Sequence, residues 1–236
     1  MQILYTPEER FANLPGYDFA PNFVEVADGL KMHYLDEGAE DATEVILLLH
    51  GEPSWSYLYR SMIPVLVEAG HRCIAPDLIG FGKSGKPAAQ SDYTYAKHIE
   101  WTQELLRKTD IQEVTLFAQD WGGLIGLRLV AAEPDRFKQI VIGNTGLPTG
   151  DQQMPEAFLK WQQFSQTVET FPVGDFINMA TETKLSKDII AAYNAPYPDE
   201  NYKAGARIFP ALVPTSPSNI ESANNRRAWQ EVFMKW

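Results

Sequence analysis

The segment that most constrains this chain is Leu116-Phe117-Ala118-Gln119-Asp120-Trp121-Gly122-Gly123. An apolar run of strand length meets small residues, then an acid. Two glycines follow and open a helical pattern, Gly122 to Ala132, that stops at Glu133-Pro134. A strand turning this sharply into a helix lifts the side chain at the turn clear of the backbone. Ala118 and Gly122, two residues to either side, are small because the turn has no room for more. Such a turn presents a nucleophile. Here that residue is a carboxylate, Asp120, and the neighbouring helix N-terminus favours its ionised form. An Asp that merely caps an ordinary helix would explain neither the flanking small residues nor the second loop described next.

That second loop is His50-Gly51-Glu52-Pro53-Ser54-Trp55, directly after Val45–Leu49. Five consecutive apolar residues belong to a central strand covered on both faces. Cys73-Ile74-Ala75 and Gln139–Ile142 read as further strands. Phe23–Val26 and Lys31–Leu35 read as an antiparallel hairpin around Asp28-Gly29. Helical spacing recurs between strands, over Tyr57 to Glu68 and Tyr95 to Thr109. Residues 1–146 are therefore expected to form an α/β core with a mostly parallel sheet. From Leu147 the pattern changes to helical fragments broken by Pro148, Pro155, Pro172, Pro196, Pro198, Pro210, Pro214 and Pro217. This predicts a helical cap over 147–218. Residues 219–236 then return to the core, with a helix over Glu221 to Gln230 and Val232-Phe233-Met234 beginning another strand.

Charge narrows the partners. With 20 basic and 31 acidic residues the net charge is −11, and no basic cluster is longer than Arg226-Arg227. Nucleic acid and anionic membrane surfaces are disfavoured on that ground. No apolar stretch approaches the ~20 residues of a membrane span, and the N-terminus lacks a basic start followed by an apolar run, so a cytoplasmic location is expected. The single cysteine, Cys73, excludes an intramolecular disulfide and a cysteine-based zinc cluster, and reads as a packing residue. The histidines, His33, His50, His71 and His98, show no metal-ligand spacing. Gly80-Phe81-Gly82-Lys83-Ser84-Gly85 matches G-x-G-x-x-G by letter, but Lys86-Pro87 follow it instead of a helix. Asp77 stands where a P-loop would need glycine. No metal and no cofactor are expected.

The two loops, in this order, resemble the α/β-hydrolase fold, and with Asp as nucleophile they resemble the haloalkane dehalogenases. Asp77-Leu78-Ile79-Gly80-Phe81-Gly82-Lys83-Ser84-Gly85-Lys86-Pro87 and Ala195-Pro196-Tyr197-Pro198 extend the likeness along the chain. Glu52 after His50-Gly51 is similar to the branch that holds its halide between two tryptophans. The resemblance implies that Asp120 attacks the carbon of a small apolar haloalkane, releasing halide and leaving an alkyl ester on the protein. The backbone N–H groups of Glu52 and Trp121 would form the oxyanion hole, and the Glu52 side chain would position the hydrolytic water. Trp121 and, within Phe158-Leu159-Lys160-Trp161, Trp161 would bind the halide, because an indole N–H donates a hydrogen bond and offers nothing else. Phe158, Phe209 and Pro210 would line the substrate pocket.

The resemblance also exposes a gap. The fold's order is nucleophile, acid, histidine, yet all four histidines precede Asp120, and Asn144-Thr145-Gly146 supplies no acid. Residues 1–236 are thus expected to be an N-terminal portion. The acid, the base and two strand–helix units, roughly 60 residues or more, would be cleaved, encoded separately as a C-terminal fragment, or lost by mutation. Alone, such a portion would be alkylated once without turnover, and Gln139–Ile142 would form an open apolar edge. Three rivals share parts of the pattern. An epoxide hydrolase would use cap tyrosines, for which Tyr193, Tyr197 and Tyr202 are available, but carries an aromatic where Glu52 stands. A fluoroacetate dehalogenase needs paired arginines, and Arg128 is alone. A binding relative would keep the pocket without the base.

Overall fold

In a computed structural model describing residues 1–236, the chain opens with a two-residue strand β1 (Ile3–Leu4). The hairpin β2 (Asn22–Ala27) and β3 (Leu30–Glu37) follows. Its turn holds Gly29 at φ +68°, a conformation that glycine adopts without steric cost. Next come β4 (Val45–Leu49), α1 (Ile63–Glu68), β5 (Arg72–Pro76), β6 (Lys86–Pro87), α2 (Tyr95–Thr109), β7 (Val114–Gln119), α3 (Trp121–Ala132) and β8 (Phe137–Gly143). After β8 the chain is helical: α4 (Glu156–Thr167), α5 (Val173–Met179), α6 (Lys187–Asn194), α7 (Ala204–Leu212) and α8 (Ile220–Ala228).

Six strands form one sheet in the order β2-β3-β5-β4-β7-β8. The β2–β3 and β3–β5 pairs are antiparallel, and β5, β4, β7 and β8 run parallel. All five residues of β4 are buried, as a strand with helices on both faces requires. Leu47, Leu48 and Leu49 join Ile74, Leu116, Ile125 and Val130 in the main core cluster. From β4 the chain steps to β5 on one side and then crosses to β7 on the other. The strand order therefore reverses at β4, and the crevice at the C-terminal ends of β4 and β7 is where this topology places ligands. His50-Gly51-Glu52 and Asp120 lie at those two ends.

Two sequence expectations need correction, and one pairing was not foreseen. Val232-Phe233-Met234 does not begin a strand: α8 continues into a π-helical turn, Trp229–Phe233. The Trp229 indole donates to the Leu147 carbonyl at 3.0 Å, and Phe233 packs against the small cluster of Leu127, Leu147 and Ala228, so helical backbone covers these apolar groups. A three-residue apolar run cannot distinguish the two outcomes by periodicity. Tyr57 to Glu68 is not one helix either. A 3-10 turn at Ser56–Tyr59 precedes α1, because Pro64 lacks an N–H and fits only the first turn of a helix. The N-terminal pairing of β1 with β6 had no counterpart in the sequence pattern. No helix of the molecule is long and apolar enough to cross a membrane.

Candidate active site

The turn between β7 and α3 is as tight as its sequence requires. Asp120 sits at φ +53°, ψ −126°, a strained conformation for a residue with a Cβ. A methyl group on Gly122 would lie 2.0 Å from the Leu49 carbonyl oxygen, and one on Gly51 would lie 2.3 Å from the Asp120 Cβ. The β4 loop and the β7 turn thus press against each other through glycines. Thr145, just after β8, donates its hydroxyl to the Asp120 carbonyl at 2.6 Å and clamps the strained residue from the third strand.

Asp120 does not act as a side-chain cap for its helix. Its Oδ1 accepts the Glu52 backbone N–H at 2.8 Å, and the Trp121 backbone N–H also favours its charged form. Desolvation raises its pKa, opposed by those two donors. Glu52 is pushed up much further, first by desolvation and then by the charge of Asp120, while the Trp161 indole favours its charged form. The Glu52 Oε1 is fully covered and has no hydrogen-bond partner.

These groups share one cavity of about 830 Å³. The structure brings together Glu52, Asp120, Trp121, Phe158, Trp161 and Pro210 on its walls. Phe158 and Trp161 are three residues apart on α4 and therefore share a face. Trp161 is held from behind by Phe176, with ring centroids 3.8 Å apart. Trp121 is fixed by Tyr95, edge-on at 5.2 Å, and by Phe209 at 4.4 Å. Phe209 corrects an expectation. It is fully buried behind Trp121 and outside the lining, because successive helix positions point about 100° apart and Pro210 takes the cavity side. Sequence reasoning missed Thr145, Leu124 and Val213, which also line the cavity. Leu124 follows Asp120 at helical spacing, a signal that was present. Thr145 carried none beyond its place after a strand.

The remaining candidates lie elsewhere. His33 bonds to Asp77 at 2.8 Å. His50 accepts the Leu78 N–H on Nε2 at 2.9 Å and donates from Nδ1 to the Gly51 carbonyl, so it is a neutral brace of the loop, and desolvation lowers its pKa. His71 is near Glu44 at the surface. His98 stacks between Tyr93 and Phe209, and desolvation pushes it down to about 3. Tyr193 packs edge-on against Tyr57 and Tyr197 is buried with its hydroxyl unpartnered. None of Tyr193, Tyr197 and Tyr202 lines the cavity, which removes the proton donors an epoxide reaction would need. Arg128 is paired with Glu221 at 2.8 Å, joining α3 to α8.

Comparison with known proteins places this geometry in context. A family model for the alpha/beta hydrolase fold matches residues 44–202. A haloalkane dehalogenase of Psychrobacter cryohalolentis is 59% identical over all of this chain and 78% of its own length. One from Mycolicibacterium paratuberculosis is 46% identical over all of this chain and 79% of its own. The tetrameric haloalkane dehalogenase DpaA of Paraglaciecola agarilytica superposes with a TM-score of 0.95 at 39% identity, covering 100% of this chain and 80% of that one.

Proposed function

This chain belongs to the haloalkane dehalogenase family of the alpha/beta hydrolase fold, hydrolases acting on carbon–halide bonds, and on that premise we propose that Asp120 is its nucleophile. The observation that carries the reading is the strained Asp120 carboxylate, pinned by the Glu52 N–H at 2.8 Å in the same cavity as Trp121 and Trp161. One carboxylate oxygen attacks the carbon that bears the halogen. The halide departs with the bonding electrons toward the indole N–H groups of Trp121 and Trp161, and an alkyl ester remains on Asp120. The backbone N–H groups of Glu52 and Trp121 hold the other oxygen and stabilise the oxyanion when water attacks the ester. Phe158 and Pro210 give the substrate an apolar wall. In this reading 1–146 form the core, 147–218 the cap and 219–236 a return to the core.

The test is mass spectrometry after exposure to 1,2-dibromoethane. One bromoalkyl group should appear on the peptide containing Asp120, with bromide released in equal amount, and Asp120→Asn should show neither. An adduct on any other residue sinks the reading.

Ester hydrolysis also needs a base, and none of the four histidines lines the cavity. We infer that residues outside 1–236 supply it, and a separate C-terminal fragment is one source to test. The edge of β8, where Val141 and Ile142 are 45% and 47% exposed, supports this as the pairing surface. Multiple turnovers by residues 1–236 alone would contradict the inference. A second copy of the chain is the other partner to test, by measuring the oligomeric state.

A further inference from the structure

We propose that Glu52 and Asp120 hold one negative charge between them: Glu52 keeps a proton while Asp120 is a carboxylate, and releases it when alkylation turns Asp120 into a neutral ester. The proposal rests on Asp120 being the nucleophile and gives the neighbouring carboxyl group its own part in the reaction. Its basis is geometric. Glu52 and Asp120 line one cavity, and the Glu52 backbone N–H bonds directly to Asp120 Oδ1. Two backbone N–H groups favour the anion on Asp120, whereas the covered Oε1 of Glu52 has no partner at all.

No cation offsets a second negative charge. The groups acting on Glu52 are Asp120 and the Trp161 indole. Tyr197, close enough to feel the Glu52 charge, has its own pKa pushed well up and keeps its proton. His50, on the same loop, is neutral, and neither lysine nor arginine lines the cavity. Two adjacent desolvated anions without a counter-charge are expensive. One proton removes the conflict, and it resides on the carboxyl group with fewer donors.

The chemistry then balances. During alkylation an oxygen–carbon bond forms and the carbon–halogen bond breaks toward halide, and no proton moves. The protonated Glu52 puts no negative charge beside the departing halide. Once the halide has left, the site holds no anion and the charge of Asp120 no longer opposes ionisation, so Glu52 releases its proton to solvent. Its carboxylate can now accept a hydrogen bond from the attacking water. Hydrolysis yields the alcohol and a carboxyl group on residue 120. The proton of that carboxyl group passes to Glu52 and restores the starting pair. One haloalkane and one water have become alcohol, halide and a proton.

The experiment labels glutamate side chains at the carboxyl carbon with ¹³C and follows their titration by NMR, with Glu52→Gln identifying the signal. In the intact protein the Glu52 signal should titrate above the ordinary glutamate range. Asp120→Asn, a neutral mimic of the ester, should lower its proton affinity by about tenfold or more. In a second arm, dibromoethane should release a proton for each Asp120 alkylated, and whatever adduct Glu52→Gln forms should appear without proton release. An unchanged Glu52 midpoint in Asp120→Asn, or an ordinary midpoint in the intact protein, overturns the proposal. Failure to form any adduct would instead sink the nucleophile assignment, and the titration would still decide whether the two groups share one charge.

Discussion

Asp77 and Asp120 follow β5 and β7, the two strands that flank β4. Both are desolvated carboxyl groups, and they respond in opposite directions. Asp77 accepts the His33 Nδ1 and the backbone N–H groups of Ser56 and Lys83, each at 2.8 Å. That imidazole and those donors overcome desolvation and hold its carboxyl well below the usual carboxylate range. Asp120 has two backbone donors, a second carboxyl group beside it and no cation, so desolvation wins and its pKa rises. Burial alone therefore does not mark a reactive acid. Pairing with a group that can carry positive charge makes Asp77 a fastener joining β3, the turn before α1 and the 80–85 loop. The lack of such a partner, with the strained backbone, leaves Asp120 available for chemistry.

Exchanging the two acids for amides should separate these roles. Asp120→Asn should slow adduct formation by about 10⁴-fold or more while thermal stability holds or rises, since a strained, poorly compensated charge is removed. Asp77→Asn should do the reverse. It leaves His33 without its partner at a site where both side chains are wholly covered, at a cost of about 3–5 kcal/mol, read as a lower denaturant midpoint. The fraction that remains folded should still be alkylated. Loss of adduct formation in folded Asp77→Asn would erase the distinction. Trp161→Phe gives a smaller effect. Stacking on Phe176 can persist, but the N–H donor proposed for the halide disappears, so bromide binding followed by tryptophan fluorescence should weaken by about tenfold to a hundredfold.

How much of this was visible in the sequence follows from the range of the forces involved. The β7 turn and the β4 loop were legible because apolar runs of strand length and small residues at a tight turn are local necessities. Glu52, Asp120 and Trp121 could be named from those segments, and Trp161 only through the resemblance carried by Phe158-Leu159-Lys160-Trp161; all four residues line one cavity. The Asp77 fastener was not legible. Its partners come from residues 33, 56 and 83, and only the folded sheet brings them together. Phe209 was misjudged because a dipeptide on a helix does not reveal which residue faces inward. The 232–234 stretch was misjudged because its helical form depends on contacts with Leu127 and Leu147, which lie far upstream in the chain.

The subtlest contrast lies in how the two centres bias stability with pH. Asp77 has a folded-state pKa below its unfolded value. Its contribution is complete above the unfolded carboxylate range, near pH 4, and is lost as pH falls through the lower folded value. Glu52 has a folded-state pKa above its unfolded value. Its contribution is complete below the unfolded value and is lost as pH rises through the higher folded one. Glu52→Gln keeps the shape and removes the titration. At acid pH the variant and the parent should therefore unfold together, and toward neutral pH the variant should become the more stable. A protein of this size gains about 2–4 °C in Tm for each kcal/mol, so calorimetry across pH 4 to 8 resolves the crossover. Asp77→Asn should instead show a constant deficit across that range and lose it only below about pH 4. Parallel pH dependences for the two variants would mean that both carboxyl groups are ordinary buried anions. The difference between fastener and reactive pair would then have to come from backbone strain at Asp120 alone.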